Sequence, residues 1–145
     1  MVNRLFSWQI AVYKIVIHSF NSPMRVHSCF SLGYGILKPE ELVQWSQQNG
    51  YSQLLLTDIN HTGSGLAFVR SAQQAGLRPI LGLELRNGMQ HLATIIAHNN
   101  TGFQELNNYL TTQLSEKKQF TLPLPFFFKL LDLVSIHAAP RYFSS

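Results

Sequence analysis

Two hydrophobic periods alternate through the middle of the chain. Residues 24–27 are a short apolar run that reads as a strand. A glycine-bearing loop follows, and then "KPEELVQWSQQNG" reads as a helix. Pro39 suits its first position, Glu40 and Glu41 suit the positive end of its dipole, and Gly50 suits its stop. "SQLLLT" is a continuous apolar run of the kind a buried parallel strand shows. The polar loop "DINHTGSG" leads into the helix "LAFVRSAQQAG", which stops at Gly76. "RPILGLEL" is the third strand, "RNGM" carries a hairpin signal, and "QHLATIIAH" returns. Finally, "TGFQELNNYLTTQL" places Phe103, Leu106, Leu110 and Leu114 on one helical face.

The order β-α-β-α-β-β-α predicts an α/β protein with mainly parallel strands and one hairpin. At 145 residues the chain has room for one ordinary domain. Charged residues are only 12% of it, and the net charge of +4 reflects few acids rather than a basic stripe. That weakens any case for direct nucleic-acid binding. The ends differ from the middle. Residues 1–23 hold no acid, and 120–145 are aromatic, proline-bearing and nearly uncharged. Lys14 interrupts the N-terminal apolar stretch and no small-residue cleavage site follows, so neither a signal peptide nor a membrane span is expected. The single cysteine, Cys29, excludes an internal disulfide and suits a reducing, cytoplasmic setting.

In parallel α/β folds reactive groups gather at the carboxyl ends of strands. Here those ends carry His27, Asp58 and Glu84, spaced 31 and 26 residues apart, which is one βα unit each. Side chains so placed are expected to point into one crevice. Imidazole and carboxylate ligands together suit Zn²⁺ or Mn²⁺. The plainer alternative makes Asp58 a turn or capping residue and Glu84 an ordinary strand carboxylate. Cys29 reads as a packed or loop thiol, and "GSG" at 63–65 as a helix-entry turn.

The segments "MRVHSCFS", "LLLTDINH", "AGLRPILGLEL" and "HLATIIAHNNTGFQEL" resemble, in order, successive parts of the PHP (polymerase and histidinol phosphatase) domain. The version they resemble is the one that opens bacterial DNA polymerase III alpha subunits. The resemblance covers residues 24–118. It implies a distorted (β/α)₇ barrel, only part of which these residues could build, with strand ends that hold up to three metal ions. In some members that site supports phosphoesterase or exonuclease chemistry; in others the domain is a platform for the polymerase and its proofreading partner.

The ligand pattern matches unevenly. The family's His-x-His-Ser stands here as Arg25-Val26-His27-Ser28, and its Thr-Asp-His as Thr57-Asp58-Ile59. Glu84 and His91 match a glutamate and a histidine of the pattern, while an acidic position of the first loop is Tyr34. The family's remaining ligands, a histidine or cysteine and a late Asp-x-His, are expected beyond the end of the resemblance, and His137, in "SIHAAP", fits neither motif. A guanidinium has no lone pair to give a metal, so Arg25 is expected to repel a cation and to pair with Asp58 or Glu84. His27, Asp58, Glu84 and His91 are thus the vestigial ligand set, with Zn or Mn as the ion if any binds. The resemblance implies a non-catalytic piece of a replicative polymerase alpha subunit. Its partners would be the rest of that subunit or a replisome subunit, and it would meet DNA only through the full-length protein. A small metal-dependent phosphoesterase and a docking module for a replication subunit are the alternatives. Residues 1–23 are read as an extension ahead of a natural start at Met24, and 119–145 as a divergent or out-of-frame tail.

Overall fold

The computed structural model describes residues 24–116, 119–121 and 132–138. The expected extension at 1–23 lies outside them, as do most of 119–145. Five strands form one sheet: β1 (Met24–Val26), β2 (Gln53–Ile59), β3 (Arg78–Asn87), β4 (Gln90–Ala97) and β5 (Val134–Ala138), adjacent in that order. β1, β2 and β3 pair in parallel, and β4 pairs antiparallel with both β3 and β5. Among the described residues the sheet is open, with β1 and β5 at its edges.

Three helices cover one face: α1 (Pro39–Gln48), α2 (Gly65–Gln74) and α3 (Asn100–Ser115). α1 begins at Pro39, and the Lys38 N–H donates to Glu41 Oε2 at 2.7 Å, so the glutamate reaches back over the helix start. Gly50 and Gly76 take positive φ just past the ends of α1 and α2, as the stop signals predict. α1 and α2 press Leu42, Val43, Phe68 and Ala72 onto Val26, Leu54 and Leu56 of β1 and β2. α3 sets Leu106, Tyr109 and Leu110 against Leu83, Leu85, Leu92 and Ile95. Leu114, expected on that buried face, is exposed, because the face rolls toward Tyr109 at the one-turn spacing from Leu106. Burial pushes the Tyr109 hydroxyl up to about 12, and it donates to the Thr121 carbonyl.

The hairpin is present, but its turn is framed one residue later than an Asn-Gly pair implies. Asn87 still pairs with Gln90, so the loop is Gly88–Met89, with positive φ at Gly88. A glycine first in a two-residue loop is the type II′ preference. Asn87 instead exchanges side-chain bonds with the Phe120 backbone, at 2.9 and 2.8 Å.

β5 was not expected. It lies in the segment read as a divergent tail, yet it extends the ladder from Ala93↔Ala138 to Ala97↔Val134. Its lead-in crosses the first turn of α3, where a Cβ on Gly102 would overlap the carbonyl oxygen of Leu133. Gly102→Ala is therefore expected to cost about 1–3 kcal/mol. Hydrogen exchange should show the loss of protection in β5 and the start of α3, while β2 and α2 keep theirs.

Candidate functional site

Alternation along the strands sorts the motif residues onto two faces. Leu54, Leu56 and Asp58 of β2 share the helix side, and Leu55, Thr57 and Ile59 point the other way. Ile59 is in register with Glu84, whereas Asp58 is in register with Leu83, which is packed against α3. The structure therefore corrects the single-crevice expectation. His27 and Glu84 meet on the inner face, and Asp58 is on the outer one.

Asp58 is buried in a cage of serines. Oδ1 accepts from the Ser28 N–H and from Ser31 Oγ, both at 2.7 Å. Oδ2 accepts from Ser28 Oγ at 2.6 Å and from Ser64 Oγ. Ser64 is the N-cap residue of α2, and Ser31 also accepts from the Ile59 N–H at 2.9 Å. One carboxylate thus ties together the β1 loop, the end of β2 and the start of α2. Burial alone would push its carboxyl upward, but the bonds from Ser28, Ser64 and Ser31 outweigh burial and hold it below its ordinary value.

Glu84, fully buried, is the centre of the inner face. Arg86 Nε donates to Oε1. Arg25 Nη2 lies 3.7 Å and His27 Nε2 3.4 Å from Oε2. Both are within ion-pair range, yet among the described residues Oε2 has no hydrogen bond. His27 Nδ1 is 2.5 Å from the Thr57 carbonyl, so that nitrogen carries the proton and donates. Nε2 is left turned to Glu84, the tautomer a metal-binding histidine would need. Arg25 Nη1 donates to Thr94 Oγ1 at 3.0 Å, and His91 Nε2 is 3.1 Å from the same hydroxyl. Burial is the largest influence on His91 and lowers it. Glu84 opposes the shift, while Arg86 and Arg25 reinforce it.

Tyr34 and Asn60 steady Arg86. Its guanidinium lies 4.7 Å over the Tyr34 ring and donates to the Tyr34 hydroxyl at 3.3 Å. Asn60, in the left-handed region at φ 58°, grips the Arg86 backbone with both ends of its amide at 2.9 Å. Of Arg25's two expected partners, the structure selects Glu84. Sequence reasoning passed over Arg86 and Thr94. Arg86 stands two residues past Glu84 on a strand, so the period of two already put it on the same face. Among the described residues no group of three or more His, Cys, Asp or Glu is placed to share one metal ion.

The first loop, whose Tyr34 reaches Arg86, carries an exposed apolar rim. Leu32 and Ile36 are 87% and 90% exposed, and Phe30 is exposed as well. Leu32→Ser with Ile36→Ser should shift stability by less than about 0.5 kcal/mol. The pair should visibly lower concentration-dependent light scattering if the rim drives self-association. No helix of the described residues is long and apolar enough to cross a membrane.

Comparison with known proteins agrees with the motifs. The error-prone DNA polymerase of Symbiobacterium thermophilum is 37% identical over 89 residues, covering 61% of this chain and 8% of that one. The DNA polymerase III subunit alpha of Escherichia coli strain K12 is 33% identical over 90 residues, covering 57% of this chain and 8% of that one. This chain thus spans about 8% of the length of these relatives. A solved amidohydrolase structure from Chromobacterium violaceum, with bound sulfate and no metal, shares the fold at a TM-score of 0.50 and 21% identity. It covers 64% of this chain and 33% of that one. The model of the PHP domain family matches residues 23–132, which takes in β1 to β4 and all three helices, and the chain belongs to that family.

Proposed function

We propose that this chain is a PHP domain of the DNA polymerase III alpha type in a non-catalytic form. It would serve DNA replication as a platform within a polymerase alpha subunit or for a replisome subunit. The observation that carries this reading is the pairing of Glu84 with two arginines. A divalent ion at Glu84 needs further lone pairs and a negative surround. Arg25 and Ile59 stand where the family pattern has histidines, Arg86 already holds Oε1, and Asp58 faces the helices. The residues present do not fit a Zn or Mn centre, and no hydrolytic step is assigned to them.

The test is metal analysis of purified, dialysed protein together with phosphatase and exonuclease assays. The expected result is sub-stoichiometric Zn and Mn and no metal-dependent turnover. One bound ion per chain with hydrolysis would overturn the reading in favour of a small metal-dependent phosphoesterase. The specific observation on that side is the His27 tautomer, which turns Nε2 toward the unbonded Glu84 oxygen.

The same reading makes the open sheet part of a distorted (β/α)₇ barrel in a cytoplasmic protein. It starts the domain near Met24, with residues 1–23 as an extension. The family match to residue 132 and the pairing of β5 favour carrying the domain past residue 118. A divergent or out-of-frame tail would then begin beyond residue 138. The exposed apolar rim suits docking against a replication partner, as the platform role requires.

A further inference from the structure

We infer that the inner-face crevice is a metal-independent anion site, shaped to take a phosphate on Arg25; this rests on the non-catalytic reading above. The charge balance points there. Among the described residues, the ionisable groups facing the crevice from β1, β3, β4 and the first loop are Arg25, His27, Glu84, Arg86, His91 and Tyr34. Its two guanidiniums outweigh its one carboxylate. A crevice that holds a cation by its ligands would carry the opposite sign.

The two arginines are not equivalent. Arg86 is committed: Nε to Glu84, Nη1 to Tyr34 and to the Met89 carbonyl, its face to the Tyr34 ring. Arg25 is available. Its side chain is 49% exposed, among the described residues it makes one hydrogen bond, to Thr94, and its contact with Glu84 is a loose 3.7 Å. A guanidinium has five N–H donors in a planar fork, so most of Arg25's donors remain for a ligand. That fork matches two oxygens of a phosphate, and the Thr94 bond fixes its position on β4. Such an anion would meet Arg25 from the open side, while Glu84 holds the guanidinium from beneath. A terminal phosphate, with several free oxygens and a double charge, suits one fork better than an internal diester does.

The test is titration of the full chain with inorganic phosphate in excess EDTA at constant ionic strength. Binding is followed by ³¹P line broadening and by the rise in Tm. The expected result is a saturable rise that chloride does not reproduce. Arg25→Met keeps the stem packing and should weaken binding at least 10-fold. Glu84→Gln, which removes the competing charge, should tighten it. Because Glu84→Gln can unsettle the fold, Arg25→Met, at a half-exposed position, decides the outcome alone. A deoxynucleoside 5′-monophosphate should bind with the same dependence on Arg25. If it binds and inorganic phosphate does not, recognition belongs to the nucleoside and the proposal fails. Unchanged binding in Arg25→Met, or binding that EDTA abolishes, also overturns it. Metal content is measured separately, so failure here leaves the platform reading standing.

Discussion

Asp58→Ala is expected to destabilise the domain by about 4 kcal/mol, because it leaves three serine hydroxyls and one buried N–H without their acceptor. Urea unfolding measures it directly. Asp58→Asn should cost much less, about 1–2 kcal/mol. Its Oδ1 can keep the Ser28 N–H and Ser31 bonds, and its amide can donate to the Ser28 and Ser64 hydroxyls. The two variants also separate in their response to acid. Asp58 is held below its ordinary value in the fold, so the folded state binds fewer protons than the unfolded one. Its contribution is complete above the unfolded value of about 3.9 and is lost as pH falls through the lower folded value. His91 is lowered as well and has the same sign, but its window opens higher, below about 6.5. Stability should therefore decline in two stages on acidification. Asp58→Asn should remove the lower stage and His91→Gln the upper one. A single transition unchanged in both variants would contradict the account.

Arg25→His combined with Ile59→His is expected to raise Zn²⁺ affinity well above that of the parent chain. Position 25 is on the inner face with His27, and position 59 is in register with Glu84. Two added imidazoles would join His27 Nε2 and the unbonded Oε2 of Glu84, and the loss of Arg25 removes one repelling charge. Four nitrogen and oxygen donors suit Zn²⁺, and the affinity gain should be at least about 100-fold over the parent. Competition with a chromophoric chelator reads this out. Each single substitution should gain much less, since Arg25→His leaves too few donors and Ile59→His leaves the cation in place. Equal weak binding by parent and double variant would mean that Glu84 and His27 are not positioned to share an ion. Arg86, still bonded to Oε1, should keep the site weaker than an unopposed His/Glu centre.

Much of the fold was legible because its cues were local. Pro39, Gly50 and Gly76 bounded two helices, and the apolar run at Leu54–Leu56 marked a parallel strand. β5 was not legible. Its pairing with β4 is long-range, and its neighbourhood's proline and phenylalanine content gave no strand or helix period. The site was half legible. The motifs named His27, Glu84 and Arg25 correctly as neighbours, because parallel strands in register carry their ends to one place. Asp58 was assigned to the wrong face. Position at a strand end was counted, but the period of two that separates it from Ile59 and Glu84 was not. The serine cage was invisible because Ser28 and Ser31 belong to the β1 loop and Ser64 to the start of α2, and only the fold brings them to Asp58.

The register of the hairpin shifts by one residue between Leu85 and Arg86. Up to Leu85↔Ala93 the strands keep one register, and from Arg86↔His91 they keep another, so Leu92 has no partner across the ladder. Had the first register continued, Arg86 would stand opposite Leu92, and His91 would share the outward side of Asn87. The unpaired residue thus assigns two neighbours to opposite surroundings, Leu92 to the core against α3 and His91 to the crevice beside Thr94. It also makes the hairpin two mechanical segments joined at a joint. Length changes at the Gly88–Met89 tip can be absorbed beyond the joint. One inserted residue between His91 and Thr94 would instead have to choose which of the two surroundings to abandon.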